Sequence, residues 1–151
     1  MTVNPPCIRR EAFVADLNTR IEASERILRR YLDDVSEDGL SVSLPGLPLA
    51  LREEERCNLL IPLRGKLHAG VTDTQAMDRT IETLQNVRKA VFWLSTQSGD
   101  GAGGSVAALG FDSCRVAKGQ VLAVLEEALF AYGYFPAETP IGPYTMAEEQ
   151  P

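Results

Sequence analysis

An all-α fold, an antiparallel helical bundle of three long helices and one short one, follows from three features of the sequence. Cys7, Val14, Ile21, Leu28 and Val35 recur at every seventh position, with Leu17, Ser24 and Tyr31 at the companion spacing. That is the stripe by which one helix packs on others. Met77, Leu84 and Val91 repeat the same spacing. Over residues 113–132, Val121, Leu122, Val124, Leu125, Ala128, Leu129 and Tyr132 leave only a narrow polar strip at Lys118, Glu126 and Glu127. A helix so apolar belongs at the centre of a core.

The first helix is expected over residues 4–36. Asn4 is a capping residue and Pro5 suits the first helical position. Asp16 with Arg20, Glu22 with Arg26 and Glu25 with Arg29 stand four apart, acid first, the order that supports a helix. Gly39 is placed to end it. Residues 40–50 break the pattern. Leu40, Val42 and Leu44 alternate with Ser41 and Ser43, which predicts a short extended piece. Pro45, Gly46 and Pro48 then interrupt regular structure.

A shorter second helix is expected over 49–63, ended or kinked by Pro62, with 64–70 as a connection. Thr72 and Gln75 form a capping-box pattern that opens a third helix running to about Gln97. Its final turns, 90–94, are apolar on every side, so they lie deep in the core or in an interface. Residues 98–105 read as a Gly-rich loop and 106–111 as a short turn. Asp112 or Ser113 is expected to cap a fourth helix ending near Tyr132. Pro136, Pro140, Pro143 and Pro151 make the C-terminal residues an extended Pro-rich tail. The expected organisation is a bundle domain over 1–135 and a tail over 136–151.

A chain of 151 residues suits one domain and buries enough surface to fold without a metal or disulfide staple. The net charge of −6 argues against nucleic acid and against an anionic membrane surface as partners. The three cysteines are far apart and form no C-x-x-C pair. Residues 1–10 carry no apolar export segment, and the longest strongly apolar run, 90–94, is far too short to span a bilayer. The expectation is a cytoplasmic protein with free thiols.

Chemistry-bearing patterns are sparse. Residues 99–104 match G-x-G-x-x-G, but a helix, not a strand, precedes them, so they read as a loop between helices. His68 is the single histidine, which removes any multi-histidine metal site. No metal and no cofactor are expected. The paired carboxylates, such as Asp33–Asp34 and Glu126–Glu127, lack the Glu-x-x-His partner of a di-metal bundle. Cys114, at the expected start of the fourth helix, is the candidate reactive thiol, because a helix N-terminus lowers a thiol pKa. Its ordinary role is that of a small buried hydrophobe. Arg64, Lys66 and His68 alternate in the expected connection and are candidates for holding an anion.

The strongest signal is apolar surface. Val91, Phe92, Trp93, Leu94, Phe130, Tyr134 and Phe135 are the candidate interface residues, beyond what a small bundle needs for its own core. The function expected is a non-enzymatic helical protein–protein interaction module, such as an adaptor, inhibitor or accessory assembly factor. It would meet a protein partner or self-associate into an oligomer. The alternatives are a small-ligand-binding or cysteine-dependent enzyme bundle and a structural subunit of a larger assembly.

Overall fold

The computed structural model of the chain describes residues 8–96 and 106–130. The expected Gly-rich loop, the Pro-rich tail, Tyr134 and Phe135 lie outside the described residues. All regular structure among them is helical: α1 (Arg10–Asp38), α2 (Leu40–Ser43), a 3-10 turn (Leu44–Gly46), α3 (Leu47–Lys66), α4 (Asp73–Thr96) and α5 (Val106–Phe130). The fold is an all-α bundle. Among the described residues no helix is long and apolar enough to cross a membrane.

α1 starts later than Asn4 and Pro5 suggest, because Ile8 and Arg9 are not helical. Arg9 is extended, at φ −85° and ψ 111°, and this turns Ile8 into the core at 1% exposure. The Arg10 N–H, otherwise an orphan of the first turn, donates to Asp73 Oδ1 at 2.9 Å. Further along, Leu17, Ile21 and Ser24 are fully buried and Leu28, Tyr31 and Val35 half-buried, which is the seven-residue seam seen in the sequence. Gly39 ends the helix at φ 86°, its N–H donating to Val35 O at 2.9 Å.

Residues 40–50 are not extended. Pro45 and Pro48 fall in the first turns of the 3-10 turn and of α3, where a missing N–H costs nothing. Leu40, Val42 and Leu44 are all exposed, so no buried face exists to hold them as a strand. α3 runs to Lys66, 20 residues, so the bundle has four long helices where three long and one short were expected. The exposed Pro62 lies inside α3. An interior proline costs roughly 3 kcal/mol, but Leu60, Leu63 and Leu67 on the opposite face are each 1% exposed, and their burial outweighs it.

α4 opens on the expected capping box. The Thr72 N–H donates to Gln75 Oε1 at 3.0 Å and the Gln75 N–H to Thr72 Oγ1 at 3.2 Å. α5 begins at Val106, so 106–111 is helix and neither Asp112 nor Ser113 is a cap. Ser113 is buried instead, its hydroxyl donating to Pro48 O at 3.3 Å. Ser113, Ala117, Val121, Leu125 and Leu129 form one fully inward row at four-residue spacing.

Side-chain pairs fix the directions. Arg64 of α3 reaches Asn18 of α1, and Tyr31 of α1 packs on Gly46 just before α3, so α1 and α3 are antiparallel. Ser113 with Pro48, Lys118 with Glu55 and Gln120 with Arg56 make α5 parallel to α3. Asp73 meets Arg10, so α4 starts beside the start of α1 and runs antiparallel to α5. The molecule is thus two antiparallel hairpins, α1–α3 and α4–α5, joined chiefly by the parallel contact of α3 with α5.

Candidate functional site

The core is graded from one end to the other. Near Arg10 and Leu67 it is filled by large aliphatics: Leu17, Leu60, Leu63, Leu125 and Leu129, each at most 1% exposed. Toward the turn between α1 and α3 it holds Ser24, Ala50, Glu53, Cys57, Ser113 and Ala117. Small and polar side chains leave less apolar area to hold the helices together. Several polar atoms there lack hydrogen-bond partners among the described residues: Ser24 Oγ, Tyr31 OH and Arg52 Nε.

Beyond this polar layer the hairpin tip buries almost nothing. From Glu25 to Asp38, the second half of α1, no side chain is fully buried. None is fully buried in α2 or the 3-10 turn either. Large apolar side chains nevertheless crowd the tip: Leu32 is 63% exposed, Leu40 57%, Val42 69%, Leu44 46% and Leu49 43%. Asp33, Asp34, Glu37 and Asp38 are exposed beside them, with no Lys or Arg between Arg30 and Arg52. Four carboxylates and no cation give the segment a charge of −4, against −6 for the whole chain.

Of the interface candidates among the described residues, four lie near the end of α4 and one at the end of α5. Val91 packs half-buried against the core, Phe92 is half-buried and Leu94 is buried. Trp93 is 59% exposed near the end of α4, on the tip side of the bundle. Phe130 ends α5 at the opposite side. The exposed apolar residues of the tip were not singled out from the sequence as a surface. Its signal was Leu40, Val42, Leu44, Leu47 and Leu49 in ten residues, with nothing nearby to pair them as a strand.

Arg64, Lys66 and His68 do not converge on an anion. Arg64 Nη1 donates to Asn18 Oδ1 at 3.0 Å, Lys66 is exposed, and His68 Nδ1 accepts the Gly70 N–H at 3.3 Å. The end of α3 is capped by other cations, Arg10 donating to Leu67 O at 3.1 Å and Arg79 to Lys66 O at 2.5 Å. These bonds satisfy carbonyls that a helix end leaves orphaned.

Cys114 lies inside α5, past its first two turns, so the reason to expect an activated thiol is gone. Burial pushes its pKa up, the Glu55 carboxylate adds to the shift, and Lys118 only partly opposes it. Cys57 is raised likewise, by burial first and then by Glu25 and Glu53. Cys7 lies outside the described residues. Among the described residues no group of three His, Cys, Asp or Glu side chains is placed to hold a metal ion.

Two pockets lie on the surface of the described residues. One, of about 550 Å³, lies between the starts of α1 and α4, where Arg10, Thr72 and Asp73 already have partners. The other, of about 310 Å³, lies over α3 between α1 and α5. Its floor is Leu60, Val121 and Val124, and its two guanidinium groups are paired, Arg20 with Asp16 and Arg56 with Glu53 and Gln120. Neither pocket joins a nucleophile to a base, the minimum for covalent catalysis.

The geometry defines a class, a four-helix all-α bundle with one end left apolar and acidic. Comparison with protein-family models, with curated proteins and with solved structures finds no match to this chain.

Proposed function

We propose that this chain is a non-enzymatic helical interaction module and that the tip of the α1–α3 hairpin is the surface it presents to a protein. One observation carries the reading: five large apolar side chains, each at least 43% exposed, sit within residues 32–49, where no side chain is fully buried. Exposed apolar clusters of this kind mark binding sites on soluble domains. An adaptor, an inhibitor and an assembly factor all use a surface like this. Free Cys57 and Cys114 fit a reducing compartment such as the cytoplasm.

The test is a paired capture experiment. Val42→Ser with Leu44→Ser removes apolar surface from exposed positions, so melting temperature and helical content should stay unchanged. A protein retained by the native chain and lost by this variant is the expected result. Identical retention by both would sink the tip as the binding surface.

A further inference from the structure

We propose that residues 24–46, the outer half of α1 with α2 and the 3-10 turn, are a strap that opens off α3 as one unit while the rest of the bundle stays folded, and that opening it uncovers Cys57.

The strap is held by little. No side chain from Ser24 to Gly46 makes a hydrogen bond or an ion pair among the described residues. Ser24 is the last fully buried residue of α1, and beyond it Leu28, Tyr31 and Val35 are only half-buried. The inner half of the helix is held far better. Phe13, Leu17 and Ile21 are buried there, Arg10 donates to Leu67 O at 3.1 Å, and Arg64 donates to Asn18 Oδ1 at 3.0 Å. A segment with few buried contacts opens at a lower free energy than the core beside it.

The strap's own charges loosen it further. Asp33 with Glu37 and Asp34 with Asp38 are like pairs four apart. They lie at the C-terminal end of α1, where the helix dipole disfavours acids and the last turn holds no basic residue. Arg29 and Arg30 stand one turn earlier, and neither forms an ion pair among the described residues. Once off α3, residues 24–38 are too short a helix to persist alone in water, so their amides exchange whenever the strap opens.

What the strap covers follows from the register of the hairpin. Asn18 meets Arg64 and Tyr31 meets Gly46, which sets Ser24 and Glu25 opposite Cys57. Cys57 is 6% exposed; burial, and then the Glu25 carboxylate, hold its thiol above the ordinary pKa. On its other side α3 is pinned to α5 by Pro48 with Ser113, Glu55 with Lys118 and Arg56 with Gln120, none of which belongs to the strap. α3 therefore stays in place while the thiol is bared.

Hydrogen exchange and thiol labelling of the full chain test both halves of the proposal. The amides of residues 28–38 are expected to exchange at one common level, with a urea dependence below roughly half that of the amides of 17–21. In a chain carrying Cys7→Ala and Cys114→Ala, iodoacetamide should modify Cys57 with that same shallow urea dependence, at least about tenfold faster than global unfolding allows. Leu125→Ala weakens the base alone, so it should speed exchange at 17–21 by about thirtyfold or more and leave 28–38 and Cys57 unchanged. Leu28→Ala, milder and inside the strap, should speed Cys57 labelling and exchange throughout 28–38 by one common factor of about tenfold. Protection that rises step by step from Asp38 inward would mean end fraying and would overturn the strap. So would protection of 28–38 equal to that of 17–21, or a Leu125→Ala effect shared by both sets. Cys57 labelling at the global rate, or labelling indifferent to urea, would overturn the uncovering.

Discussion

Ser24 is fully buried and its hydroxyl has no partner among the described residues. A buried hydroxyl without a hydrogen bond costs free energy, and Ala is the better helix former. Ser24→Ala is expected to stabilise the chain by about 1 kcal/mol, read from urea melts; a loss of stability would mean that the hydroxyl is satisfied. Leu125 is the opposite case, 0% exposed in the central row of α5. Leu125→Ala should cost about 2–5 kcal/mol, because the cavity is enclosed on all sides. Glu22→Ala, on the exposed face of α1, should cost only a few tenths. Equal costs would contradict the central place of α5. The thiols give a pH dependence. Cys57 and Cys114 are raised above the ordinary thiol value near 9 in the folded chain. Above that pH the unfolded chain loses thiol protons that the folded chain keeps, so stability is flat below it and falls as pH rises through it. Cys114→Ala should flatten that fall, measured as urea midpoint against pH, and an unchanged slope would assign it to other groups.

Helices whose signals are local were legible, and those shaped by distant residues were not. Thr72 and Gln75 need only each other, and the box they make is the one the sequence spells. Thr72→Ala is expected to cost about 1 kcal/mol and to fray the first turn of α4 in hydrogen exchange; full protection of that turn would contradict the role of the box. Gly39 is likewise local, needing only a positive φ and Val35 O. Ser113 misled because a serine before an apolar run resembles a cap, whereas its hydroxyl bonds to Pro48, 65 residues away. Pro62 misled because its cost is local while the burial of Leu60, Leu63 and Leu67 that outweighs it is tertiary. The alternation at Leu40, Val42 and Leu44 fits a strand only when a sheet is there to receive it. The same holds for Cys114, whose place at a helix start depends on where α5 begins, two turns earlier than the local pattern suggests.

At the scale of the whole molecule, the class of fold was legible because apolar periodicity alone decides it, while the order of packing was not. Nothing in the local pattern of α3 or α5 says that they lie side by side and parallel. That contact is made by Pro48 with Ser113, Glu55 with Lys118 and Arg56 with Gln120, pairs that stand 63 to 65 residues apart. The arrangement has a consequence in time. Each hairpin is built from neighbours along the chain and forms early, since short loops close fast. The two hairpins must then pair through contacts 63 to 65 residues apart, and that search sets the refolding rate. A disulfide placed between α3 and α5, by Glu55→Cys with Lys118→Cys in a background lacking the native cysteines, removes the search. Stopped-flow refolding should accelerate by at least about tenfold; an unchanged rate would put the barrier inside a hairpin instead.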